Sequence, residues 1–132
     1  MKIIGADHTN WRVRDYKASL AFYRDVFGFE PFGVEEYESG ERPLVSLRVT
    51  DDFVLHLVPD ADFEGSEVGG YDHLALTVEG GSVDAMVKYL EKKGVEIERK
   101  FESIVGARGR GPAVYVRDPD GYRIEVKAYP EA

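Results

Sequence analysis

The dipeptide Asp-His occurs twice in this chain, at Asp7-His8 and Asp72-His73, 65 residues apart. Gly28-Phe29-Glu30 and Gly94-Val95-Glu96 repeat at a spacing of 66, each directly after a stretch of helical periodicity. Two spacings that agree within one residue indicate an internal duplication with a unit of about sixty residues rather than a solenoid. In a chain of 132 residues that leaves room for two copies sharing one domain. Neither copy alone could bury both faces of a sheet, so the strands of both are expected to share one structure.

Apolar alternation over residues 3–13 predicts a first strand. Asp15 then caps a helix over residues 16–27, in which Tyr16, Leu20, Tyr23 and Phe27 recur at helical spacing, and Gly28 stops it. Strand-like runs follow over residues 29–38, 44–50 and 53–59, separated by the turn signals "ESGERP" and "TDD". The second copy keeps that order: a strand in "YDHLALTV", a helix from the cap Ser82 through "VDAMVKYLEKK" to Gly94, and runs near residues 95–101, 112–118 and 122–129. The fold class expected is α+β. One domain spans residues 1–132, with a first βαβββ module at 1–60, a polar linker at 61–70 and a second module at 71–132.

Strand side chains alternate between faces, so parity sorts each strand into an apolar face and a more polar one. In the first strand Trp11 and Val13 share the apolar face, and His8, Asn10 and Arg12 the other. His56 interrupts the apolar run "FVLHLVP", and parity places it with Val54 and Val58, opposite Leu55 and Leu57. In the fifth strand His73 faces away from Leu74 and Leu76, and in the last strand Glu125 faces away from Ile124 and Val126. Four strands thus each offer one metal-capable side chain: His8, His56, His73 and Glu125. The duplication matches His8 with His73, and "LHL" around His56 with "IEV" around Glu125, so a pseudo-twofold would bring all four to one point. A lone histidine in an apolar strand is ordinarily a core residue with a satisfied hydrogen bond. All three histidines of the chain falling on matched positions favours a metal site instead.

The formal charge of −8 argues against nucleic acid and against anionic membrane surfaces as partners. With no cysteine, thiolate ligands and a Cys nucleophile are excluded. The start "MKIIGADH" has too short an apolar run for a signal peptide and no stretch approaches a membrane span, so cytoplasm is the expected compartment.

His8, the stretch "RDYKASLAFYRDVFGFE", "DHLALTV" at His73 and "VRDPDGYRIEV" ending on Glu125 and Val126 together resemble the vicinal oxygen chelate superfamily. That group contains glyoxalase I, the bleomycin- and fosfomycin-resistance proteins and the extradiol dioxygenases. The resemblance covers nearly the whole chain, and "FVLHLVPDADFEG" looks most like the small glyoxalase-domain proteins. It implies paired βαβββ modules forming a cup-shaped, mixed eight-stranded sheet with helices on its outer face and one divalent metal inside. Imidazole and carboxylate donors suit Zn, Ni, Co, Mn or Fe. With four protein ligands, a six-coordinate ion keeps two adjacent positions for two neighbouring substrate oxygens and acts as a Lewis acid. Glu125 is the candidate base, and His56 a ligand or second proton carrier. In glyoxalase I the position of His56 resembles a metal-bound Glu, and this departure makes the ion more electrophilic.

Parity also puts Arg12, Arg48, Arg117 and Arg123 on the more polar faces, which favours an anionic small-molecule substrate. Arg12 matches the position where glyoxalase I holds a carboxylate of its glutathione adduct; Asn10, Arg48, Tyr115 and Arg117 complete the expected substrate contacts. "GARGRGP", residues 106–112, lacks the ending of a phosphate loop and reads as a mobile lid or a plain connector. The leading reading is a metal-dependent isomerase or lyase, with homodimers expected. An Fe(II) ring-cleaving dioxygenase, for which His56 is one donor too many, and a drug- or metabolite-sequestering protein are the alternatives.

Overall fold

The computed structural model describes residues 1–66 and 71–130. Residues 67–70 of the expected linker therefore lie outside the described residues, as do the last two of the second module. The chain divides into two compact units, residues 1–65 and 66–132.

In the first unit, β1 (His8–Val13) is followed by α1 (Tyr16–Phe27), β2 (Glu30–Phe32), α2 (Val34–Glu38), β3 (Val45–Thr50) and β4 (Phe53–Pro59). The strands form one sheet in the order β1-β4-β3-β2, with β1 parallel to β4 and the other pairs antiparallel. Asp15 caps α1 by accepting from the Lys17 and Ala18 amides, and Gly28, at φ 72°, turns the chain out of it. The helix lays Leu20, Tyr23 and Val26 against a sheet face on which Val13, Val45, Leu47, Leu55 and Leu57 have no exposed surface and Trp11 is 5% exposed. Burial of such side chains contributes about 1.5–3 kcal/mol each.

In the second unit, β5 (His73–Thr77), α3 (Val83–Lys92), β6 (Arg99–Gly106), β7 (Gly109–Arg117) and β8 (Arg123–Lys127) repeat the plan. The sheet order is β5-β8-β7-β6, again with a single parallel pair, β5 with β8. Ser82 caps α3 through the Ala85 amide, and Val83, Met86 and Leu90 pack beside the apolar face built on Val114, Val116, Ile124 and Val126. The fold is thus α+β, two βαβββ modules, with the eight strands hydrogen-bonded as two four-stranded sheets.

Three expectations are corrected. The first strand begins at His8, not at residue 3: among the described residues β1 pairs only with β4, their pairing starts at His8 opposite Val54, and Ile3 and Ile4 stay exposed. The run over 29–38 is a three-residue strand and then a short helix, because Gly33 at φ 74° ends the strand and Glu35 and Glu36 suit the first turn of α2. Finally, residues 106–112 form the tip of a β-hairpin rather than a loose connector. Gly106 pairs with Gly109 across a two-residue turn, and the Lys127 ammonium donates to the carbonyls of Ile104, at 2.8 Å, and Gly111, at 3.3 Å. A Cβ on Gly106 would lie 2.4 Å from Lys127 Cε, so that glycine makes room for the buried lysine.

Candidate functional site

The strand registers bring the four candidate donors together as two pairs, one in each unit. In the first unit, His8 stands opposite Val54, and His56 opposite Asn10, on the sheet face away from α1. The imidazoles of His8 and His56 meet with ring centroids 4.7 Å apart. Asp7 Oδ2 lies 2.7 Å from His8 Nδ1, and Ser46 Oγ lies 2.8 Å from His56 Nδ1. Both rings therefore have Nδ1 anchored and Nε2 available. Arg42 donates to Ser46 Oγ at 2.9 Å. Burial first, then the neighbouring His8 and Arg42, holds the His56 imidazole below its ordinary pKa, with Asp7 opposing, so the neutral, ligand-competent form is favoured.

In the second unit, Glu125 stands opposite Ala75 on β5 and Tyr115 on β7. Its carboxylate is almost completely buried, 3.4 Å from His73 Nε2. Asp72 Oδ2 lies 2.6 Å from His73 Nδ1, which orients that ring in the same way as Asp7 orients His8. The Tyr115 ring lies 5.2 Å from His73, and burial together with the Glu125 charge raises its pKa, keeping the phenol protonated as a donor beside the carboxylate. Asp72 is held below the usual carboxylate range by its bond to His73 and then by Arg123.

Among the described residues no group of three or more His, Asp or Glu side chains forms a ready metal cage. The donor chemistry nevertheless fits a divalent ion in halves: each unit presents two nitrogen or oxygen donors on one sheet face, and each donor has an outer hydrogen-bonding partner of the kind metal ligands keep. Those partners went unrecognised in the sequence as site residues. The duplicated Asp-His dipeptide was the signal for Asp7 and Asp72. Ser46 becomes a partner only through the β3–β4 register, and Arg42 only through the three-dimensional path of the turn before β3.

The expected substrate contacts divide by charge state. Arg12 is exposed, with Nε 3.3 Å from Asp60. Arg117 is bound to Glu98 and to the Gly121 carbonyl, and Arg123 to Glu98 and Asp72. Among the described residues Arg48 donates only to the Asp51 carbonyl, and it lies 5.1 Å from the ring centroid of Phe32. Arg48, Asp7, Asp51, Asp52, Val54 and His56 border an open cavity of about 720 Å³ in the first unit. Asn10 is exposed beside His56, and Tyr115 is buried against His73 and Phe101.

Residues 5–126 match the family model of the Glyoxalase/Bleomycin resistance protein/Dioxygenase superfamily. A lactoylglutathione lyase of Neisseria meningitidis is 32% identical over 124 residues, covering 89% of this chain and 86% of that protein. The metallothiol transferase FosB of Shouchella clausii is 28% identical, covering 92% of this chain and 78% of that protein. Among solved structures, a glyoxalase/dioxygenase from Nostoc punctiforme superposes with a TM-score of 0.73 at 20% identity, covering 99% of both chains. No helix among the described residues is long and apolar enough to cross a membrane.

Proposed function

Because the chain belongs to the glyoxalase/bleomycin resistance/dioxygenase superfamily, we propose that it is a metal-dependent isomerase or lyase of glyoxalase type. Its substrate is an anionic small molecule with two adjacent oxygens. The observation that carries this reading is the matched pair of Asp–His couples, each next to a second donor on the same sheet face. His8, His56, His73 and Glu125 would together hold one divalent ion, within one chain or across a homodimer. When bound, the ion supplies Lewis-acid polarisation of the two substrate oxygens.

The chain's own groups handle the proton. The Glu125 carboxylate takes it from the substrate carbon that carries one oxygen, and the freed electron pair moves toward the neighbouring carbonyl. The same proton is then returned to that neighbouring carbon while the hydroxyl proton passes from the first oxygen to the second, so the reaction is redox-neutral and needs no added oxidant. Tyr115, donating beside Glu125, favours the carboxylate form between transfers. His56 either completes the ligand set or, unligated and favoured neutral, carries the second proton, the hydroxyl one.

Metal content of the purified protein, read with that of a His56→Ala variant, tests the reading. One Zn or Ni per four-donor set in the wild type, and a marked loss of affinity in the variant, is the expected result. Unchanged metal affinity after His56→Ala removes the ground for preferring an isomerase, and iron with oxygen uptake on catechols replaces it with a dioxygenase.

A further inference from the structure

The β registers lay two rows of side chains across the first sheet, on the face of His8 and His56. One row runs Phe32, Ser46, His56, Asn10; the other runs Glu30, Arg48, Val54, His8. Two guanidinium groups gather around Phe32 at the edge of these rows. Arg48 lies 5.1 Å and Arg42 5.7 Å from the ring centroid. The place of Arg42 is built into the backbone: a Cβ on Gly33 would fall 1.3 Å from its Nη1, so the side chain occupies room that only glycine leaves. Arg42 is half-buried and donates to Ser46 Oγ, whose other partner is His56. Among the described residues neither Arg42 nor Arg48 forms an ion pair with a carboxylate. In a chain of formal charge −8, two adjacent arginines spared by 25 acidic residues are set apart from Arg12, Arg117 and Arg123, each of which is already neutralised.

We propose that Arg42 and Arg48 bind the carboxylate of the substrate, and that a flat apolar group next to that carboxylate packs on Phe32. The proposal rests on the reading above of this face as the substrate's, and it moves the anion contact away from Arg12. A guanidinium held against a ring keeps its N–H edge free for a planar anion, and a half-buried one gains more from it than an exposed one. Glu30 opposite Arg48, and Asp51 and Asp52 along the cavity wall, repel a dianion more strongly than a monoanion, which selects carboxylate over phosphate.

The test uses the full chain after removal of metal, so that it does not depend on the metal reading. Benzoate and its neutral analogue benzamide are titrated by calorimetry or by NMR. Benzoate is expected to bind saturably and at least about tenfold tighter than benzamide, the size of one charge-assisted hydrogen bond. Arg42→Gln and Arg48→Gln should each weaken benzoate about tenfold and leave benzamide unchanged. Phe32→Leu should weaken both ligands, and Lys88→Gln, on the exposed side of α3, neither. Thermal unfolding of each variant excludes loss of fold as the cause, and Arg48→Lys, which keeps the charge, should recover part of the affinity. Equal binding of the two ligands, no saturation by about 10 mM, or loss on Arg12→Gln with Arg42→Gln and Arg48→Gln unaffected would overturn the proposal. Benzoate binding in a protein that takes up no metal would leave this site standing and remove the glyoxalase reading.

Discussion

The two modules share one plan and differ in how they treat charge. Each begins with an Asp–His couple and sets a second donor on the parallel neighbour strand, His56 in one and Glu125 in the other. Each backs that second donor with the residue opposite it on the next strand, Ser46 or Tyr115. In the second module the surrounding cations are saturated: Arg123 bridges Asp72 and Glu98, and Arg117 reaches the same Glu98. In the first module Asp7 holds His8 with its side chain 92% exposed, and Arg42 and Arg48 have no acidic partner among the described residues. The second module is thus built as a closed, neutral support for a buried carboxylate. The first leaves positive charge to be answered by something else. Duplication supplied the donors twice, and their neighbours have diverged in how much charge they leave unanswered.

The shared plan is broken most severely at its cores. Leu55 and Ile124 precede the two second donors and are both fully buried. Leu55→Ala and Ile124→Ala should each destabilise by about 2–5 kcal/mol in chemical denaturation. Similar losses would mean that the modules unfold as one cooperative body; two separate transitions, one unaffected by each variant, would show them to be independent. Next in size are the donors themselves. His8→Ala and His73→Ala should each lower metal affinity by more than the about 10- to 100-fold that loss of an outer partner costs. Mixing the two inactive variants decides whether a site is shared: restored activity means that one chain's first module works with its partner's second.

How far the sequence could be read follows from what each feature depends on. His56 was legible because a single polar residue in an apolar run declares its face through a period of two. The register, in turn, put it beside β1 as the duplication required. α1 was legible to the residue because its caps, Asp15 and Gly28, are local. Features that depend on distant chain were not. Arg42 sits in a turn segment and reaches Ser46 across the gap above Gly33, which no spacing rule encodes. The glycines of residues 106–112 read as looseness, whereas they let Lys127 and the chain around Ala128 pass close by. Glu98, which joins two arginines, Arg117 and Arg123, lies just before β6 in a stretch with no motif at all.

The Asp–His couples sharpen the comparison further. Asp72 is itself held by Arg123, whereas among the described residues the Asp7 carboxylate meets only His8. Replacing a carboxylate by an amide frees the imidazole to rotate and lowers its basicity. Asp7→Asn and Asp72→Asn should therefore each weaken metal binding about 10- to 100-fold. The larger loss is expected at Asp72, where the amide also releases Arg123. Equal losses, measured by competition with a chelator, would mean that the arginine network contributes nothing to the site.

The smallest expected effect isolates that network. Burial alone would raise the pKa of Glu98, but its hydrogen bonds from Arg117 and Arg123 more than offset this and hold it below the usual carboxylate range. A carboxylate with a depressed folded-state pKa contributes its stability above the unfolded value and loses it as the pH falls through the folded one. That contribution should be complete above about pH 4.3 and fade below it. Glu98→Gln should then lower stability at pH 7 by up to about 1 kcal/mol, the scale of a partly exposed ion pair. The gap between variant and wild type should close in acid, where the native carboxyl is protonated as well. Unfolding midpoints at the two pH values measure it. A gap that persisted in acid would assign the role of Glu98 to packing, and the contrast between a neutralised second module and a cationic first one would then rest on Asp72 alone.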